Sequence, residues 1–212
     1  MANWQLALGF VAGGIYFLGF VPYLVTIYQG KTRPNRASWW IWSVVGWILV
    51  LSYESSAAES INSLWVPAAA AACHLIIALV SLKYGEGGWS RFDRACLLAA
   101  GVSLLLWWRF DAPLIALFTN LAIDFSGALP TIRKTYLRPD TEEGLPWFLF
   151  WLASLLNLFA IERFSLELFA YPFYLFCIPS IVLFLLISAK FNWRPSQPPQ
   201  EKYKGFNREL ER

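Results

Sequence analysis

The sequence predicts an all-α integral membrane protein of seven transmembrane helices, and three observations favour that fold class. Of the 212 residues, 58% are hydrophobic and only 15% are charged, whereas a soluble domain carries about 25% charged residues. Trp occurs 12 times, and Trp concentrates at membrane–water interfaces. Seven apolar runs approach the roughly 20 residues that a helix needs to cross a bilayer.

The seven predicted helices are separated by short connections rich in turn and charged residues. They cover residues 4–28, 37–53, 61–82, 95–110, 112–136, 145–161 and 166–191. The segment after Phe191 is polar and contains Pro195, Pro198 and Pro199. Such a segment cannot span a bilayer, so we expect a disordered cytoplasmic tail over residues 192–212.

The basic residues predict the orientation of the chain in the membrane. All but two of the 17 Lys and Arg residues lie in the tail, in the loops after the first, third and fifth helices, or in the helix ends that border them. The other side carries only Arg109 and Arg163. Because basic loops stay in the cytoplasm, the C-terminus is predicted to be cytoplasmic. An odd number of helices then places the N-terminus outside, in a plasma, inner or organelle membrane.

An internal repeat relates the two halves of the chain. An offset of 108 residues pairs Phe17 with Phe125, Gly19 with Gly127, Pro22 with Pro130, Tyr28 with Tyr136, and Trp39 with Trp147. Repeats of this length indicate duplicated structural units. We predict a three-helix repeat over residues 1–82, a loop and linker helix over 83–111, and a second three-helix repeat over 112–191. The linker helix gives both repeats the same orientation, as in parallel transporter repeats.

The second repeat resembles the signature of the SWEET and PQ-loop transporters. Gly127-Ala128-Leu129-Pro130 is followed by basic residues, then by the turn Thr141-Glu142-Glu143-Gly144 and by Pro146. The resemblance implies the three-plus-one-plus-three arrangement and transport by alternating access. It also implies that Pro22 and Pro130 act as hinges, because proline interrupts helical hydrogen bonding.

The chain departs from the family's motifs at positions that concern the identity of the solute. Tyr23 and Thr131 stand where the family's PQ motif has Gln. SWEET sugar carriers place Asn midway along the third helix of each repeat, where this chain has residues near His74 and Cys177. Those two positions are therefore candidate substrate contacts, and the resemblance does not identify the solute as a sugar.

Asp124 is the leading candidate for a functional residue, because an ionised side chain in the middle of a membrane helix is energetically costly. Asn120 lies one turn earlier on the same helix face. A substrate site or a proton-coupling site would account for this polar face. A hydrogen bond between neighbouring helices is the alternative.

Other candidate substrate contacts are spread over three helices. His74 is the single histidine and titrates near neutral pH, although a packed histidine bonded to a carbonyl is an equal alternative. Asn157 suits either a pocket or a polar contact between helices. Trp47 and Trp151 lie deep enough to stack on a flat ring, whereas packing is the simpler explanation.

These features predict a transporter or facilitator of a small solute such as a sugar, amino acid, amine or vitamin-like compound. A ligand or cargo receptor on the same seven-helix frame is the alternative. We predict no enzyme activity, since no nucleophile–base pair is visible, and no metal or cofactor. The expected partners are the solute and the lipid bilayer, with no nucleic acid, and the sequence leaves homo-oligomerisation open.

Overall fold

The chain folds into seven α-helices over the residues that the computed structural model describes, which are 3–56, 65–109, 113–161 and 166–191. The helices are α1 (Asn3–Tyr28), α2 (Arg36–Ser56), α3 (Trp65–Tyr84), α4 (Arg91–Arg109), α5 (Pro113–Leu137), α6 (Gly144–Phe159) and α7 (Leu166–Lys190). A 3₁₀ turn, Pro139–Thr141, precedes α6. The predicted all-α fold is confirmed for these residues. The predicted tail over residues 192–212 and Arg163 lie outside them.

The fourth helix begins four residues before the predicted start. Its first turn contains a reciprocal cap, in which the Asp93 N–H donates to Ser90 Oγ at 3.1 Å and the Ser90 N–H donates to Asp93 Oδ2 at 3.2 Å. Such a capping box satisfies N–H groups that a helix start leaves unpaired. The apolar run alone placed the start at residue 95, because the capped first turn is polar.

Two buried clusters determine which helices pack together. The larger cluster contains aromatic side chains from α1, α2 and α6, namely Phe20, Tyr23, Trp39, Trp147 and Phe150. A smaller one joins α2, α4 and α5 through Ile41, Val45, Ala100 and Ile123. As a result α1 packs on α6, α2 packs on both α3 and α5, α4 packs on α5, and α6 packs on α7.

Two glycines allow the closest approaches between helices. A Cβ atom on Gly19 of α1 would lie 2.6 Å from the Phe150 ring of α6. A Cβ atom on Gly127 of α5 would lie 2.9 Å from Trp42 Nε1 of α2. Both distances are far below van der Waals contact, so these two interfaces require glycine at these positions.

Three loops meet at one end of the helices. The Glu86 N–H donates to the Pro34 carbonyl at 2.9 Å, and the Arg36 N–H donates to the Glu86 carbonyl at 3.1 Å. The Arg33 N–H donates to the Thr141 carbonyl at 2.9 Å. The α1–α2, α3–α4 and α5–α6 loops are therefore tied together, and we call this end of the molecule the basic end.

Two described helices are long and apolar enough to cross a bilayer. These segments are Ala7–Tyr28 in α1 and Phe169–Lys190 in α7. Shorter apolar helices cover Ala70–Tyr84 and Gly144–Phe159. Membrane association is thus supported by two helices, and the other predicted spans stay predictions.

Candidate functional site

Asp124 of α5 lies where three helices meet. The Tyr171 hydroxyl of α7 donates a hydrogen bond to Asp124 Oδ2 at 3.0 Å. The Trp42 indole of α2 donates from Nε1 to the main-chain carbonyl of Asp124 at 3.2 Å. Side chains from two other helices therefore hold this residue, and its carboxylate points toward α7.

His74 of α3 lies among aromatic side chains, one of which, Trp42, also bonds the Asp124 backbone. Its Nε2 is 3.3 Å from the Tyr16 hydroxyl of α1, close enough for a hydrogen bond. The rings of Phe20, Trp39 and Trp42 lie with their centroids 5.7, 5.8 and 6.3 Å from the imidazole. The imidazole is therefore enclosed by aromatic faces on one side and joined to a phenol on another.

Tyr16 and Trp42 connect the histidine to the carboxylate. Tyr16 contacts His74 and lies within electrostatic reach of Asp124. Trp42 packs near His74 and bonds the Asp124 backbone. We call the set formed by Tyr16, Trp42, His74, Asp124, Tyr171 and Tyr174 the central cluster. It draws on α1, α2, α3, α5 and α7, and so joins both halves of the chain.

Tyr174 contributes a buried hydroxyl with no hydrogen bond to any described residue. Its ring stacks beside that of Tyr171, with centroids 6.2 Å apart and planes at 28°. The hydroxyl lies near the Asp124 carboxylate but outside hydrogen-bonding geometry, and its oxygen is buried without a partner in the described part of the chain. Buried polar atoms without partners are uncommon and call for an explanation, such as a bound molecule.

The other predicted site residues lie around or away from this cluster. Asn120 is half-buried one turn before Asp124 on α5. Cys177 is half-buried on α7, three residues after Tyr174, and its thiol is free. The indole Nε1 of Trp47 is buried without a partner among the described residues.

Trp151 and Asn157 of α6 sit apart from the central cluster. The Trp151 ring packs against Phe148 and Phe176 at centroid distances of 5.9 and 6.0 Å, in the contact between α6 and α7. Asn157 is half-buried in the last turn of α6, where its carbonyl accepts the Ala160 N–H. Their assignment as substrate contacts stays a prediction.

The two predicted hinge prolines lie inside continuous helices. Pro22 is within α1 and Pro130 is within α5. Next to Pro130, both the N–H and the hydroxyl of Thr131 donate to Ser38 Oγ of α2, at 3.1 and 2.8 Å. Next to Pro22, the Tyr23 ring packs on Trp147 of α6 with centroids 6.4 Å apart. Each proline is thus followed by a residue that contacts the other half of the chain.

A buried ion pair at the basic end was absent from the predicted sites. Lys134 Nζ lies 2.5 Å from Glu142 Oε1, and the side chains are 3% and 0% exposed. The ammonium also donates to the carbonyls of Arg33 and Thr141. The carboxylate accepts from Tyr23 at 3.2 Å and from the Trp147 indole at 2.9 Å.

This basic-end network joins the two halves of the chain. Its members come from α1, the α1–α2 loop, α5, the α5–α6 loop and α6. Both charges are desolvated and almost fully hydrogen-bonded, an arrangement in which loss of one partner is costly. The hydrophobic pattern gave no signal for it, because Lys134 counts as one more basic residue near a loop and Glu142 as a solvated one.

No protein-family model, curated protein or solved structure matches this chain. Arguments about function therefore rest on the residues and their geometry.

Proposed function

We propose that the chain is a small-solute transporter, a divergent relative of the SWEET and PQ-loop carriers, that spans the membrane seven times. The apolar spans of α1 and α7 support this, because only 28% and 22% of them are buried in the protein. Large apolar side chains such as Phe10 and Leu18 of α1 and Phe184 of α7 are exposed. Extended exposed apolar surface is typical of a membrane or protein interface.

The chain is oriented in this proposal with its N-terminus outside and its C-terminus in the cytoplasm. Hydrogen bonds tie the three basic loops together, which supports placing all three on the same side of the membrane. Basic loops gathered at one end are expected on the cytoplasmic face.

The proposal includes two parallel three-helix repeats joined by α4. Gly19 approaches Phe150, and Gly127 approaches Trp42; the offset of 108 residues relates Gly19 to Gly127 and Trp42 to Phe150. The packing of α1 on α6 and of α5 on α2 is exchanged by the same offset. Matched close contacts on both sides of the central interface support a two-fold relation between the repeats.

The single observation that carries the transport proposal is the placement of Asp124. Its carboxylate lies in the middle of α5, faces tyrosines of the other helices, and sits at the interface between the proposed repeats. Ionisable residues inside membrane bundles mark substrate and ion pathways. The central cluster is then the binding site, with Asp124 as its substrate-contacting or proton-coupling group.

The basic-end network acts in this proposal as the closed gate on the cytoplasmic side. Alternating access needs contacts that seal one side and break when the other side seals. Lys134 and Glu142 join the two halves at the basic end, and Pro22 and Pro130 supply the deformable points in α1 and α5. The structure is therefore expected to represent the state that is shut toward the cytoplasm.

Solute uptake into proteoliposomes tests the proposal. Wild type and Asp124→Asn are compared with and without a pH gradient, and Asp140→Asn serves as the control because Asp140 is exposed in the α5–α6 loop. We expect uptake by wild type and Asp140→Asn and a loss of at least about tenfold for Asp124→Asn. No uptake across a broad panel would count against a transporter, and uptake unaffected by Asp124→Asn would remove Asp124 from the mechanism.

A ligand or cargo receptor is the second candidate, and the buried ion pair favours it. A receptor needs no opening toward the cytoplasm, and the basic end is closed by charges that are almost fully desolvated. Saturable solute binding together with no uptake would assign the chain to this class.

A further inference from the structure

We propose that the solute of the central cluster is a small organic cation, an amine or quaternary ammonium compound without a carboxylate of its own. This inference rests on the proposed function, since it concerns the same site. It names the chemical class that the cluster recognises and separates amines from the sugars and amino acids that the sequence left open.

The first argument is the unbalanced charge of the cluster. The two salt bridges between described residues join Lys134 to Glu142 and Arg138 to Glu86, and neither includes Asp124. The groups next to its carboxylate are the hydroxyls of Tyr171, which donates a hydrogen bond to Oδ2 at 3.0 Å, and of Tyr174, and neither hydroxyl carries a charge. A partly desolvated carboxylate is stabilised by hydrogen-bond donors, by a proton or by a counter-charge. Among the described residues it has the Tyr171 donor and no cation, and a cationic ligand would supply the counter-charge.

The second argument is the aromatic lining. Tyr16, Trp42, Tyr171 and Tyr174 all lie within reach of Asp124. The faces of Trp and Tyr attract ammonium groups, and cages of such rings recognise quaternary ammonium ligands. Tyr171 and Trp42 direct their hydroxyl and N–H toward Asp124, so an ammonium group beside the carboxylate would lie among the edges of aromatic rings, with ring faces available to its alkyl substituents.

The third argument is the unpaired hydroxyl of Tyr174. Its oxygen is buried with no hydrogen-bond partner in the described part of the chain, and it lies beside the carboxylate. A phenol oxygen can accept an N–H, so a protonated amine near Asp124 could satisfy it as well.

The other solute classes fit the described residues less well. A zwitterionic amino acid needs a cationic partner for its own carboxylate, and the cluster contains no Lys or Arg. A sugar carries no charge, so it would leave the Asp124 carboxylate without a counter-charge. A calcium or magnesium ion is held by several oxygen ligands, mostly carboxylates and carbonyls, whereas the central cluster contains one carboxylate, whose Oδ2 already accepts from Tyr171.

Binding of matched probes to the purified full chain tests this inference. Choline is compared with 3,3-dimethylbutanol, which replaces the charged nitrogen by carbon, and with glycine betaine, which adds a carboxylate. Ethanolamine tests whether a smaller primary amine is accepted, and glucose tests the sugar class. Affinity is measured by the ligand-dependent rise in unfolding temperature.

We expect choline or ethanolamine to bind at least about tenfold more tightly than the neutral and zwitterionic probes. The neutral probes lack the positive charge that would pair with Asp124, and glycine betaine adds a carboxylate that Asp124 repels. Asp124→Asn should weaken cation binding about 10- to 100-fold, Asp124→Glu should keep part of it, and Asp140→Asn should keep all of it. Tyr174→Phe should weaken ethanolamine more than choline, since choline has no N–H to donate.

Several results would overturn the cation assignment. These are equal binding of choline and 3,3-dimethylbutanol, tighter binding of glucose or glycine betaine, or no binding of either cation. The comparison of probes uses wild type, so it stands even if Asp124→Asn does not fold. A negative transport assay does not decide the solute class. Tight binding of a cation without uptake would keep the cation assignment and would move the protein to the receptor class.

Discussion

Removing the charge of Glu142 should destabilise the protein far more than removing an exposed charge nearby. In Glu142→Gln the Lys134 ammonium stays buried at 3% exposure. It keeps neutral acceptors, namely the carbonyls of Arg33 and Thr141 and the new amide oxygen, but it loses its counter-charge. Breaking a buried ion pair by removing one partner costs about 3–5 kcal/mol. For a chain of 212 residues this corresponds to a fall of roughly 6–20 °C in unfolding temperature.

A double-mutant cycle with Lys134→Met separates the pair from its surroundings. Because Lys134→Met and Glu142→Gln together leave no unpaired charge, the double variant should be more stable than Glu142→Gln alone, with a coupling of about 1–3 kcal/mol. Asp140→Asn is the control: Asp140 is exposed and belongs to neither of the two salt bridges between described residues, so its substitution should cost less than about 1 kcal/mol. Thermal unfolding in detergent or nanodiscs gives all four values. Additive effects, or a Glu142→Gln variant as stable as Asp140→Asn, would refute the reasoning.

Two further substitutions test the helix interfaces by thermal unfolding of the same preparation. Gly19→Ala should cost about 1–3 kcal/mol, because the added methyl group would lie 2.6 Å from the Phe150 ring. Gly14→Ala, where nothing lies within 4 Å, should be neutral or stabilising by up to about 1 kcal/mol, and equal effects at the two glycines would contradict the close approach. Ser38→Ala should cost about 1–3 kcal/mol, since two donors of Thr131 lose their acceptor; an unchanged unfolding temperature would argue against this contact.

Hydrophobic length predicted the number and order of the helices well. Where both sides of a helix start are described, the starts of α2 and α6 were predicted within one residue, as is usual for helix boundaries. The predicted start of the third helix at residue 61 lies outside the described residues. The start of α4 was missed by four residues because Ser90 and Asp93 stabilise a polar first turn. The S-x-x-D spacing was visible in the sequence and would have found it.

The central cluster was predicted only in part. Asp124 and His74 stood out as an ionisable residue and a lone histidine within apolar runs, and contacts through Tyr16 and Trp42 bring them together. The aromatic members gave no such signal, because the chain has 12 Trp, 9 Tyr and 17 Phe residues. Which of these aromatic residues face the interior depends on how each helix is rotated about its axis. A membrane helix is apolar on all sides, so its sequence does not indicate that rotation.

The repeat offset carried information that single residues did not. Gly19 and Gly127 were paired by sequence alone, and each lies at a close contact with the partner helix. The Lys134–Glu142 pair has no counterpart at that offset, since Thr26 and Pro34 occupy the equivalent positions. A contact that depends on one repeat alone is invisible to a search for symmetry.

Distance measurements across the basic end test alternating access most directly. Spin labels at positions 31 and 140, both exposed, would report the separation of the α1–α2 and α5–α6 loops, which the Arg33–Thr141 hydrogen bond now joins. In lipid nanodiscs we predict two populations of distances, with the longer one enriched by Glu142→Gln. A single distance that neither this substitution nor a bound solute changes would contradict the proposed gate and, with it, transport by alternating access.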